Sequence, residues 1–209
     1  MLSPEATFDA LLIADSIQQK LGDAAEGEIH LFAYLACLLS IFEKWPASLW
    51  LYTFAGLQNG APFSAELHNS IASCLNSGDL VAVAIPDTLR LTSVGCEKLT
   101  FMRGLGSLSP RTRYLEAACS TLRSLPVGLI RTAMGMEPGL RPAIIARSAR
   151  SLLTGAALDQ LYDHFDAVSK TVGNQARHLI IPASVWLSYL FDTARKTDRM
   201  LSGTEVQHG

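Results

Sequence analysis

Between Gly60 and Leu99 the chain carries a run of local signals that few folds satisfy together. Ser64 is a good helix N-cap, and Glu66 falls in the first turn, where its charge suits the helix dipole. Phe63, Leu67, Ile71, Cys74 and Leu75 follow at helical spacing. Asn76-Ser77-Gly78 ends that helix, with Gly78 as the left-handed residue just past it. Leu80 to Ile85 reads as a strand, Pro86-Asp87-Thr88 as a turn, and Leu89-Arg90-Leu91 as the returning strand. Thr92 then caps a last helix through Cys96, Leu99 and Phe101. Helix, strand, turn, strand and closing helix in that order predict the back half of a winged helix. The competing reading is a helix followed by an unrelated β-hairpin.

The preceding chain supplies the rest of such a module. Ser3-Pro4-Glu5 is a helix start, and Phe8, Leu11, Leu12, Ile17 and Leu21 carry the helix to Gly22-Asp23. A second helix from Glu26 to Lys44 is apolar nearly all round, which predicts burial at the centre of the domain. Pro46 stops it, between Trp45 and Trp50. Trp50, Tyr52 and Phe54 alternate, so Leu49–Phe54 reads either as a short strand pairing with the wing or as a helix. Gln58-Asn59-Gly60 is a turn signal.

The chain of 209 residues suits one or two domains. Arg103-Gly104-Leu105-Gly106-Ser107 marks the expected boundary, giving a mainly α protein. A winged-helix domain with a small β-wing spans 1–102, an all-helical domain 103–201 and a flexible tail 202–209. Helices are expected from Ser109-Pro110 to Leu122, from Leu125-Pro126 to Met134, from Pro142 to Leu153, from Leu158 to Lys170, and from Ile181-Pro182 to Leu201. Cys37, Cys74, Cys96 and Cys119 are scattered and are expected on apolar helix faces. With no C-x-x-C pair, no signal-peptide pattern and no apolar run long enough to span a bilayer, the expectation is a cytoplasmic protein without membrane contact.

Catalytic and cofactor signatures are weak. The five histidines show no metal-ligand spacing, there is no G-x-S-x-G elbow and no phosphate-binding glycine loop, and Gly104-x-Gly106 lacks a third glycine. Asp159, Asp163 and Asp166 share a helix face near His164, a pattern that fits a solvated face better than a metal cluster. The expectation is a non-catalytic protein with no cofactor and no metal.

Charge decides how the winged segment is used. Residues 1–102 carry 11 acidic against 4 basic residues, whereas 103–150 carry 2 against 8. A DNA-reading helix needs Arg, Lys, Asn or Gln on its outer face. Ser64–Asn76 offers Glu66, His68, Asn69 and Ser73, with no Lys or Arg, and the wing offers only Arg90. Packing against protein is therefore favoured over sequence-specific DNA reading. Arg111, Arg113, Arg123, Arg131, Arg141, Arg147 and Arg150 form a cationic set with two readings of equal weight. Either they meet an acidic partner or the DNA backbone within a larger assembly, or they neutralise the acidic first half within the fold.

Trp50, Tyr52, Gly60, Pro62, Phe63, Ser64, Leu67, Gly78, Leu80, Leu91, Thr92 and Gly95 together form a pattern over about residues 25–100. The pattern resembles that of small bacterial winged-helix proteins encoded beside SMC- or Rad50-like ATPases. These include the middle components of three-component ABC-ATPase systems and the small accessory subunit of Lamassu-type antiphage defence. Leu125-Pro126 through Leu129, with the Met residues that follow, resembles their helical second half more loosely, and Ala61 departs from the usual pattern. The resemblance implies an accessory subunit that binds an SMC/Rad50-like ATPase, restrains an effector such as a nuclease until foreign DNA is sensed, and meets DNA only through the complex. Two other readings stand beside it: a winged-helix transcription regulator or antitoxin-like DNA binder, and a kleisin-bridging subunit of a chromosome-organising SMC complex.

Overall fold

Every residue from Ile29 to Ile41 is buried in the helix α2 (Glu26–Phe42), and the rest of the structure is packed around it. A helix with no polar face has to be covered on all sides. The computed structural model describes residues 3–83 and 87–204. Helix α1 (Pro4–Leu21) covers one side of α2, starting as expected with Ser3 Oγ accepting from the Ala6 N–H. Helix α5 (Ser109–Ser120) covers another. A two-residue strand β1 (Ala24–Ala25) joins α1 to α2, and Glu28 reaches back to accept from the Ala25 N–H.

Helix α3 (Ala65–Asn76) follows, with Ser64 as its cap, then the strands β4 (Leu80–Ala82) and β5 (Thr88–Leu91) and the helix α4 (Ser93–Arg103). The hairpin is antiparallel, Leu80 opposite Leu91, and β1 adds to its far side with Ala24 opposite Leu89. The strand order is β1-β5-β4. The outer parts of the expected strand and turn, Ile85 and Pro86, lie outside the described residues.

Tight glycines fix this segment. Gly78 sits at φ +77°, the left-handed conformation expected of it. A Cβ on Gly95 would lie 2.2 Å from the Asp79 carbonyl oxygen, so only glycine lets α4 approach the end of α3. Thr92 joins the same corner: its Oγ1 accepts from the Gly95 N–H and donates to the Gly78 carbonyl.

The Leu49–Phe54 stretch is neither the wing strand nor a regular α-helix. Ala47–Trp50 forms a 3₁₀ turn, and the extended chain beyond Leu51 leads into β2 (Ala55–Gly56). That strand lies between β3 (Pro62–Phe63) and β6 (Arg150–Ser151), far along the sequence. The alternation of Trp50, Tyr52 and Phe54 therefore reflects three rings buried in the core, without a pairing to the β4–β5 hairpin.

Beyond α4 and α5 come α6 (Val127–Met134), α7 (Leu140–Ala146), α8 (Gly155–Val172) and α9 (Ile180–Thr204). Several expectations need correction here. The helix expected over 142–153 stops at Arg147, which turns left-handed at φ +48°, and Arg150 lies in β6. Ser109 lies inside α5, whose cap position is Leu108. Cys96 is exposed, whereas Cys37, Cys74 and Cys119 are buried as expected; burial pushes the Cys74 thiol up to about 11 and that of Cys119 to about 12. Helix α9 runs on to Thr204, into the stretch expected as tail.

One cluster of buried side chains continues from α1 and α2 into α5, α6, α8 and α9. The molecule is mainly helical with small antiparallel sheets. Among the described residues no helix is long and apolar enough to cross a membrane.

Candidate functional site

Helix α3 and its neighbouring hairpin form the face on which DNA contact was weighed. The exposed positions of α3 are Ala65, His68, Asn69, Ala72 and Asn76. Cations next to it are already engaged. Arg90 donates from Nε and Nη2 to the two carboxylate oxygens of Asp23, at 2.7 and 2.9 Å, and this holds the Asp23 carboxyl below its ordinary range. Lys98 donates to Asp79; burial pushes that carboxyl up, but the bonds from Lys98 and Ser77 prevail and hold it down. Val81 on the hairpin and Val94 and Phe101 on α4 are exposed, Phe101 at 71%.

The cationic set divides. Arg113 pairs with Glu43 and Arg131 with Glu28 at 2.8 Å, and Arg103, outside that set, lies 3.7 Å from Asp15. All three acids belong to the first half, so these arginines neutralise it within the fold. Arg123, Arg141, Arg147 and Arg150 are exposed. Arg111 leaves the set altogether: it is 2% exposed and out of reach of any partner.

Arg111 instead closes a buried knot between α1, α5 and the segment after the 3₁₀ turn. Its Nε donates to Asp9 Oδ1 at 2.9 Å, its Nη2 to Asp9 Oδ2 and its Nη1 to the Trp50 carbonyl at 2.8 Å. Its guanidinium lies 4.0 Å from the centre of the Trp50 ring. Tyr52 completes the carboxylate's partners, donating to Asp9 Oδ2 at 2.6 Å. Burial opposes the charge on Arg111, but Asp9 overrides it and raises its pKa; burial also lifts the Tyr52 phenol. With both carboxylate oxygens bonded and all of its side chains buried, the knot holds elements together.

Of the family-pattern residues, Trp50 and Tyr52 thus belong to the knot. Pro62 and Phe63 form β3, and Gly60, at φ +81°, turns the chain into it; a Cβ there would meet Ile144 Cδ1 at 2.6 Å. Leu67, Leu80 and Leu91 are buried. Ser64, Gly78, Thr92 and Gly95 make the caps and corners already described. They are structural positions on the first half; Gly60 and Pro62 also line a shallow pocket with Leu31, Arg131 and Met134, and Phe63 lines a second one.

A second polar cluster joins α2, β3 and α3. Glu26 and His30 sit one turn apart on α2, and His68 comes from α3. His68 Nδ1 lies 2.6 Å from Glu26 Oε1, and His30 Nε2 lies 3.6 Å from the same oxygen, too far for a hydrogen bond. His30 is 3% exposed, its ring stacks on Phe63 with centroids 4.9 Å apart, and its Nδ1 accepts from the Ser64 N–H at 3.2 Å. A metal-bound imidazole carries its lone pair on the ligating nitrogen and a proton on the other. Here Ser64 demands the lone pair at Nδ1, so Nε2 holds the proton and cannot ligate.

Two buried acids and this cluster escaped the spacing patterns. Glu26 and His30 show the four-residue interval of one helix face, but His68 is remote in sequence. Arg111 does carry a signal, because Arg111, Leu115 and Ala118 fall on one helical stripe. Glu137 is 1% exposed; burial raises its pKa, while Oε2 accepts from the Gly139 and Leu140 N–H groups at the start of α7. The acidic face of α8 behaves as a solvated one, with Asp166 paired to Lys44 at 2.9 Å and both side chains exposed. Comparison with family models, with characterised proteins and with solved structures finds no match.

Proposed function

We propose that the chain is a winged-helix subunit that works by contact with other proteins, neither reading DNA directly nor catalysing a reaction. Its setting, on this reading, is the one the resemblance implies: an accessory subunit of an SMC/Rad50-like ATPase complex in antiphage or anti-plasmid defence, linking the ATPase to an effector such as a nuclease. The strand order supports the winged-helix part, since β1, leaving α1, adds to the returning strand β5 of the hairpin that follows α3. The observation that carries the protein-contact part is the state of the cations. Arg90 and Lys98 are bound to Asp23 and Asp79, and the exposed face of α3 has no Lys or Arg. Phosphate contacts supply most of the affinity of DNA-binding proteins, and this face offers none that is free. The hairpin and α4 expose apolar side chains instead, Val81, Val94 and Phe101.

Co-expression of the tagged chain with the products of its neighbouring genes tests this. A complex of fixed mass with a large coiled-coil ATPase is the expected result. A chain that purifies alone under conditions where the ATPase is folded and abundant contradicts it. The second reading, a DNA-binding regulator, draws on Arg123, Arg141, Arg147 and Arg150, which are exposed on the other half. It requires a dimer that turns those arginines to the phosphates, and it predicts salt-sensitive binding to a palindrome.

A further inference from the structure

We propose that His30 is a proton-sensitive latch, which holds the Gly60–Ser64 segment and the start of α3 against α2 while neutral and releases them when protonated.

The argument begins with one backbone amide. Ser64 N–H points at His30 Nδ1, and this bond is buried. A neutral imidazole has one acceptor nitrogen and one N–H. The amide fixes which is which: Nδ1 accepts and Nε2 carries the proton. A second proton has only Nδ1 to go to. It turns the acceptor into a donor facing another donor, and the Ser64 amide loses its partner in a place water does not reach.

Three charged or titratable groups face this site. Glu26 belongs to the same helix, and its Oε1 is nearer to His68 Nδ1 than to His30 Nε2. His68 comes from α3. Glu66, also on α3, accepts from the Ser64 hydroxyl at 3.1 Å. Nε2 has no hydrogen-bond partner, and the Glu26 carboxylate on that side stands at 3.6 Å, so no bond there takes the place of the Ser64 contact. Burial pulls the His30 pKa below its ordinary value, and Glu26 pulls partly the other way.

Ser64 is a sensitive place to break. Its Oγ caps α3 by accepting from the Leu67 N–H, and Phe63 beside it is paired in β3 to β2, which in turn pairs with β6 of the distal half. Release therefore loosens the start of α3 and its link to the 150–151 strand together. The inference stands whether or not the partner reading holds, because it depends only on bonds inside the chain.

The test uses the full chain with ¹⁵N-labelled histidine. At pH 7.5 the imidazole nitrogen shifts of His30 are expected to report the Nε2–H tautomer. Hydrogen exchange at residues 62–68, corrected for the intrinsic pH dependence, is expected to lose about tenfold in protection as His30 titrates, the scale of one buried donor left unpaired. In His30→Asn, whose amide oxygen accepts from Ser64 at any pH, the loss is expected to disappear; in His68→Gln it is expected to persist. The Nδ1–H tautomer overturns the proposal, as does protection that stays constant while His30 titrates, or an equal loss in a folded His30→Asn chain. A rise in protection on adding equimolar zinc at pH 7.5 also overturns it, since zinc requires the opposite tautomer. If His30→Asn does not fold, the tautomer and the titration of the unaltered chain decide.

Discussion

Two of the buried polar sites of this molecule, the Asp9 knot and the surroundings of His30, end in opposite states. In the Asp9 knot the charged groups are answered: Arg111 and Tyr52 both donate to the Asp9 carboxylate, and the Trp50 carbonyl takes the remaining guanidinium contact. Around His30 one nitrogen is answered and the other is not, and the nearest carboxylate is shared with an exposed histidine. Full satisfaction gives a rigid joint; partial satisfaction gives one whose strength depends on a proton. The first joins the acidic first half to α5 and the second joins α2 to the start of α3, but only the second is poised to change.

Breaking the knot is expected to give the largest effect. Arg111→Ala leaves Asp9 buried and unpaired, which should destabilise the fold by about 3–5 kcal/mol in urea unfolding. Asp9→Asn with Arg111→Met removes both charges and should cost less than the single change. If Arg111→Ala were neutral, the knot would not be the joint described above.

The corner of the hairpin sharpens the contrast between space and conformation. Gly95→Ala drives a Cβ into the Asp79 carbonyl and should cost about 1–3 kcal/mol or more, because backbone cannot step aside. Gly78→Ala meets no atom within 4 Å, so only its left-handed backbone is strained, at about 1–2 kcal/mol. A reversed order in thermal unfolding would contradict the close approach of α4.

His30 gives the pH dependence its sign. Its folded pKa lies below the ordinary value of 6.5 because burial disfavours the charged ring. The folded state then binds fewer protons than the unfolded one, so the contribution is complete above about pH 6.5 and declines as the pH falls toward the folded pKa. Urea midpoints measured from pH 7.5 to 5.5 should fall, and the fall should be shallower in His30→Asn.

Surface pairs should matter least. Arg90→Ala and Arg131→Ala remove half-exposed partners and should each change the thermal midpoint only slightly, less at high salt. A larger loss at either would show that the neutralisation of the first half has more structural weight than its exposure suggests.

Much of the first half was legible because its signals are local. Ser3-Pro4 starts α1, Ser64 and Thr92 cap their helices, Gly78 turns as expected, and the all-round apolar pattern of 29–41 matches complete burial. What was not legible depends on residues far apart in sequence. Arg150 leaves its expected helix because Gly56, nearly a hundred residues earlier, offers it a strand. Arg111 reads as a surface cation until Asp9 and Trp50 are brought around it. His30 carries no ligand-like spacing, because its partners, Ser64 and Phe63, come from the segment before α3.

The central claim, that the α3 face meets protein and not DNA, is tested most directly by fluorescence anisotropy of the purified chain with double-stranded DNA at low salt. The account predicts no binding at micromolar protein and no systematic salt dependence. Binding that weakens steeply with salt, with a log–log slope corresponding to several phosphate contacts, and that is abolished by changes on the α3 face, would contradict it.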